Sequence, residues 1–176
     1  MNAKLPFFGK SLTTLSFLIA VVFFLLQSSC YSFRGISIPP EVNTYKVANF
    51  DNKTLNALPT IAISITEKLK DKIRRETRLT YSETEPDIEF KGSVTQYRVT
   101  SEAPKPGELT AINRLTIAVQ VEFINNKKED SNWKSRFSFF NDFGTDQNLI
   151  DIQEDLIENI DEQIVEDIFN KAFTNW

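Results

Sequence analysis

From Arg114 to Phe123 the chain alternates, with Leu115, Ile117, Val119, Val121 and Phe123 on one parity and Arg114, Thr116, Gln120 and Glu122 on the other. Successive side chains of a strand point to opposite faces, so this segment needs one buried face and one polar face. A sheet that contains it must be covered on one side only. Two segments have the pattern to do the covering. Ile61, Ile65, Leu69 and Ile73 recur every fourth residue, which predicts a helix over about 56–76 with Pro59 in its first turn. Ile152, Leu156, Ile160, Ile164 and Ile168, widened by Ile157, Val165, Phe169 and Phe173, predict a second helix over about 148–174.

Three more segments read as strands. In 44–50, Tyr45 and Val47 fall on one face and Ala48 and Phe50 on the other, as in a central strand. In 87–100, Ile88, Phe90 and Val94 share a parity that Tyr97 and Val99 reverse, which predicts either a bulge near Gln96 or burial on both sides, and Gly92 suggests close packing against another element. In 133–143, Trp133, Phe137 and Phe139 oppose Phe140. Residues 103–107 (Ala-Pro-Lys-Pro-Gly) and 125–131 read as turns. The order is strand, helix, three strands, helix. It predicts an α+β fold: a two-layer sandwich with a mixed four-stranded sheet and two helices on one face, the meander antiparallel and the first strand parallel to a neighbour.

Upstream of this domain, Lys4 and Lys10 precede an apolar run over 12–26 that ends in Ser28-Ser29-Cys30, with no acidic residue before Cys30. Basic, apolar and small-residue regions in that order are a secretory signal, and the cysteine is placed as the lipid-attachment residue of a bacterial lipoprotein. A signal anchor is the competing reading, although the run falls short of the roughly 20 residues that span a bilayer. Gln27 stands where such signals usually carry an aliphatic residue. The expected organisation is a signal peptide at 1–29, a tether at 30–43 containing Gly35, Pro39 and Pro40, and one domain at 44–176.

Chemistry is limited by what the chain lacks. It has no histidine, its one cysteine is Cys30, and its five glycines form no phosphate loop. No catalytic residue, metal or cofactor is assigned. Glu83, Glu85 and Asp87 flank Pro86 in a turn-like stretch where solvated carboxylates are ordinary. Removing residues 1–29 takes away two of the 20 basic residues and none of the 24 acidic ones, so the domain is too acidic to coat nucleic acid. Charge is segregated between the helices. Lys68, Lys70, Lys72, Arg74, Arg75 and Arg78 crowd the first, while Asp151, Glu154, Asp155, Glu158, Asp161, Glu162, Glu166 and Asp167 read as the outer face of the second. Side by side, the two helices complement each other; apart, each offers a charged surface to a partner.

Family-style segments run through the chain: Cys30-Tyr31-Ser32-Phe33; Leu58-Pro59-Thr60-Ile61-Ala62, leading through Thr66-Glu67-Lys68-Leu69-Lys70-Asp71 to Thr77-Arg78-Leu79; and Asp87-Ile88-Glu89-Phe90-Lys91-Gly92-Ser93-Val94 followed by Tyr97. In these the chain resembles LptE, the lipopolysaccharide-assembly outer-membrane lipoproteins, in their Bacteroidetes form. The resemblance implies a non-enzymatic domain, lipid-anchored on the periplasmic side of the outer membrane, that plugs and supports the LptD β-barrel in lipopolysaccharide transport. Lipopolysaccharide phosphates or the partner would then meet basic side chains, for which Lys105, Arg114, Lys127, Lys128 and Lys134 of the hairpin region and Arg74, Arg75 and Arg78 of the helix are the candidates. The alternative is a lipid-anchored periplasmic interaction module of another envelope transport complex.

Overall fold

A computed structural model describes residues 36–103 and 111–174. Cys30, the signal segment and Lys105 lie outside the described residues. The elements are β1 (Thr44–Val47), β2 (Asp51–Asn52), α1 (Pro59–Glu76), β3 (Thr80–Tyr81), β4 (Ile88–Glu102), β5 (Ile112–Asn125), a 3-10 turn (Glu129–Ser131), β6 (Trp133–Gly144) and α2 (Leu149–Phe173). The sheet has the order β3-β1-β4-β5-β6, with β2 also pairing β4. Pairing is parallel from β3 to β4 and antiparallel from β4 to β6, so the α+β class and the mixed sheet are as expected. The sheet has six strands rather than four, because two of them, β2 and β3, are only two residues long, too short to leave an alternation in the sequence.

The first strand differs from its expected form. Val47 pairs with Phe90 and Asp51 with Ser93, so four steps along β1 and β2 match three along β4. The extra residue bends the chain and moves Phe50 to the same face as Tyr45 and Val47. There the Phe50 ring fills the space above Gly92, where a Cβ would stand only 2.3 Å from Cε2 of the ring. The Phe50 N–H donates to Thr66 Oγ1 of α1 at 3.0 Å, and the Thr66 hydroxyl donates to the Ala62 carbonyl at 2.7 Å. Of the two readings of the parity change in 87–100, the bulge is the one found. Register shifts between Val94 and Gln96, which turns Tyr97 towards the core opposite Ile117.

One face of the sheet packs beneath both helices. Ile88, Phe90 and Val94 of β4 and Leu115, Ile117, Val119, Val121 and Phe123 of β5 are buried with Ile61, Ile65, Leu69 and Ile73 of α1 and Ile160, Ile164, Ile168 and Phe173 of α2. Burying each such side chain stabilises the fold by about 1.5–3 kcal/mol. α1 begins at Pro59 rather than Asn56, since the residue before a proline is held extended, as Leu58 is at φ −63°, ψ 134°. α2 starts at the Asn148 cap, whose side chain accepts from the Ile150 N–H at 3.2 Å. In the stretch read as a tether, Val42 is buried, Ile38 packs on the core, and the Ser37 N–H donates to the Phe173 carbonyl at 3.1 Å.

The helices lie side by side and their charges meet, the first of the two arrangements that segregation of charge left open. Lys68 Nζ stands 3.6 Å from carboxylate oxygens of both Glu158 and Glu162, and Lys72 Nζ contacts Glu166 at 2.6 Å and Glu76 at 2.7 Å. One acidic residue departs from the outer face assigned to it. Asp161 is fully buried at 0% exposure, and neither carboxylate oxygen has a hydrogen-bond partner. It lies one helical turn from both Ile157 and Val165, on the side of α2 that turns towards α1, so the core extends to its position. Burial pushes its pKa up to about 7, opposed by Ser64 and Lys68 on α1 and reinforced by Glu158.

A carboxyl raised in the folded state costs nothing below its unfolded pKa, and the penalty grows as pH rises to the folded value. For Asp161 that window runs from about 4 to about 7, with a full penalty on the order of 4 kcal/mol. Urea titrations should therefore show Asp161→Asn more stable than wild type at pH 8 and close to it at pH 4. An equal effect at both pH values would mean that Asp161 does not carry a buried charge.

Candidate interface

The opposite face of the sheet carries no helix among the described residues. Its side chains follow from cross-strand register: Glu89, Lys91, Ser93, Gln96, Arg98, Thr100 and Glu102 on β4; Ile112, Arg114, Thr116, Ala118, Gln120, Glu122 and Ile124 on β5; Lys134, Arg136, Ser138, Phe140 and Asp142 on β6. The face is polar, mixed in sign and locally ordered. Arg114 makes a bidentate pair with Asp142, its cross-strand neighbour, at 2.7 and 2.9 Å, and lies 3.8 Å from the centroid of the Phe140 ring. Such a planar cation, paired at its edge and stacked on a ring, is held in one orientation. Arg136 donates to Gln96, a bond that reaches from β6 to β4 and so crosses over β5. Lys91 pairs with Glu89 at 3.0 Å. Arg98 and Lys134 have no ion pair among the described residues.

The nominated basic residues are not brought into one site. Arg114 lies near the start of β5, and Lys127 and Lys128 lie beyond its end, separated by about 40 Å at ~3.4 Å per strand residue. On α1, Arg74 is held by Asp71 at 2.8 Å; Arg78, expected on the helix, lies two residues beyond its end, and its guanidinium donates to Asn43 Oδ1 at 2.9 Å and to the Pro39 carbonyl at 2.8 Å, fastening the entering chain to the domain. Arg75 is exposed and borders a cleft of about 530 Å³ between the helices, with Lys68, Lys72, Glu158 and Glu162 among its other walls. Lys127 is engaged by Asp87 at 3.0 Å, while Lys128 is exposed beside it.

Asp87, read as a solvated turn residue, instead ties three segments together. Its Oδ2 accepts the N–H groups of Asn43 at 2.8 Å and Thr44 at 3.0 Å, its own N–H donates to Thr44 Oγ1 at 2.9 Å, and its carbonyl accepts from the Asn126 N–H at 2.8 Å. Burial alone would raise its pKa, but the Asn43 N–H, the Lys127 ammonium and the Thr44 donors overcome this and hold it at about 2. A run of carboxylates around a proline carries no signal of this role. Only the approach of β1, distant in sequence, creates it.

Comparison with known proteins places this geometry in a family. The model of the LptE family, described as lipopolysaccharide-assembly, matches residues 42–172, which is most of the chain and all of the two-layer domain from Val42 to Ala172. The chain belongs to the LptE family. The LptE resemblance first seen in short segments thus extends over both helices and the whole sheet. No curated protein matches the chain in sequence. Among solved structures, LptE's fold in this chain is similar to that of the hypothetical protein CT253 from Chlamydia trachomatis, at 7% identity and a TM-score of 0.50 over 76% of this chain and 99% of that one. PelC from Paraburkholderia phytofirmans, a dodecamer, is 10% identical with a TM-score of 0.49 over 79% and 95%. A lipoprotein from Caulobacter crescentus is 16% identical with a TM-score of 0.43 over 69% and 87%.

Within this LptE-family chain, Asp87 and Arg75 separate scaffold from surface. Replacing Asp87 by Ala strands buried N–H donors and should cost about 2–3 kcal/mol, with acid unfolding shifted to higher pH, because the lost stabilisation is the part present above pH ~4 and removed as pH falls towards 2. Replacing Arg75 by Ala should change stability by less than about 0.5 kcal/mol. Urea denaturation of the two variants checks the contrast, and equal losses would contradict it.

Proposed function

We propose that this chain is a lipid-anchored protein on the periplasmic side of the outer membrane, and that it packs its uncovered sheet face inside an LptD-type β-barrel to support lipopolysaccharide delivery. The observation that carries the reading is that face. It is mixed in charge and mostly polar, with Phe140 its most exposed large apolar side chain, which suits the polar interior of a large barrel and not a lipid surface. Membership of a lipopolysaccharide-assembly family supplies the pathway. That family works without catalysis, which agrees with a sequence free of histidine.

Cys30 is the lipidation site in this reading. A cysteine-linked set of acyl chains beside a barrel keeps the domain at high effective concentration. Direct contact with lipid A phosphates falls to basic side chains with no ion pair among the described residues, Arg75, Lys128 and Lys134, and to Lys105, which lies outside those residues. Arg114 serves the same face through its fixed guanidinium, whereas Arg74, Arg78 and Lys127 are mainly structural.

Purifying the tagged full chain from outer membranes in mild detergent should recover one large β-barrel protein in near-equal amount. Changing Lys128 and Lys134 to Glu should lower co-purified lipopolysaccharide several-fold without loss of the barrel. Consistent recovery with no barrel, or with components of a different envelope transporter, would overturn the assignment.

A further inference from the structure

We propose that Lys68 is the moving part of a pH-responsive joint between α1 and α2: it bridges Glu158 and Glu162 at the surface while Asp161 is protonated, and turns inward to pair with Asp161 when that carboxyl ionises. Acidic residues of α2 crowd a single lysine here. Lys68 of α1 stands 3.6 Å from a carboxylate oxygen of Glu158 and 3.6 Å from one of Glu162. Asp161, between them in sequence, has 0% exposure, and neither of its oxygens has a hydrogen-bond partner. A carboxyl so placed costs far less neutral than as an anion, which needs a cation or several donors.

Lys68 is the cation able to answer it. Its hold on the surface is loose: both carboxylate distances exceed those of a normal N–H···O bond, about 2.7–3.2 Å, and its hydrogen bond to the Glu158 carbonyl is 3.3 Å long. Lys72, one turn further along α1, is not available, since Glu76 and Glu166 hold it at 2.7 and 2.6 Å. Lys68 also has room to move. It borders both the cleft of about 530 Å³ between the helices and a second hollow of about 300 Å³, whose other walls include Ser64, Ile157 and Glu158. Residues three apart on a helix have Cβ atoms about 5–6 Å from each other, so passing from Glu158 to Asp161 asks only for a new rotamer of the flexible lysine stem.

The groups around Asp161 fix the direction of the response. α1 presents Ser64 and Lys68, α2 presents Glu158 and Glu162, and the sheet below contributes apolar core side chains. Burial raises the Asp161 pKa to about 7, so the carboxyl is protonated in mild acid and ionises as pH rises through neutrality. Below that range Lys68 stays with the glutamates. Above it the inward pair offsets part of the buried charge, and Glu158 and Glu162 are released to the cleft. The offset is incomplete, because Lys68 gives up its surface pairs and part of its hydration.

Double-mutant cycles on the full chain, read as urea unfolding constants, follow the lysine. At pH 5.5, Lys68→Met should couple to Glu162→Gln by about twofold or more and to Asp161→Asn not at all. At pH 8.5 the order should reverse, with coupling to Asp161→Asn of at least about tenfold and none to Glu162→Gln. Lys68→Gln gives the same cycles should the methionine variant fail to fold. In protein carrying ¹⁵N-lysine, the Lys68 ammonium signal should move with a midpoint near pH 7 in wild type and show no such step in Asp161→Asn. Coupling to Glu162 that persists at pH 8.5, coupling to Asp161 of equal size at both pH values, or a Lys68 signal that titrates alike in the two proteins overturns the proposal. Each of these results is independent of whether a barrel is recovered with the chain.

Discussion

The described domain depends on covering one side of a sheet with two helices while no helix among the described residues covers the other. From Leu115 to Phe123, β5 has an apolar parity and a largely polar one, and its neighbours repeat the division through cross-strand register. Ile61, Ile65, Leu69 and Ile73 and the α2 stripe from Leu156 to Phe173 satisfy the apolar side. Among the described residues no helix covers the polar side, which stays ordered by pairs such as Arg114 with Asp142. The same division separates stability from function: substitutions under the helices change folding, and those on the bare face change contact.

Electrostatics refine the layer without building it. Lys68 and Lys72 join α1 to α2 through partly exposed ion pairs, each worth at most about 1 kcal/mol, whereas Asp161 beneath them is a net cost at neutral pH. Asp87 is the opposite case. Its carboxylate is held ionised by backbone donors where the chain enters the sheet, so it fixes the start of β1 against β4.

Periodic segments were legible in the sequence because burial writes its period directly into them. Both helices, the three long strands and the bulge beyond Val94 fall within a few residues of their expected positions. The misses have a common cause, a contact made between residues far apart in the chain. Phe50 changes face because Gly92 leaves room for its ring, and Asp161 is buried because α1 lies beside α2. Asp87 becomes a staple only when Asn43 and Thr44 reach it. The basic candidates show the same limit: a list of lysines and arginines does not reveal that Arg74, Arg78 and Lys127 are engaged internally.

The most direct test of the central claim asks which layer meets the partner. A photo-crosslinking residue at Glu122, on the bare sheet face, should capture a large outer-membrane barrel in intact cells, while one at Asn159, on the exposed side of α2, should not. Capture from Asn159 and none from Glu122 would contradict the account.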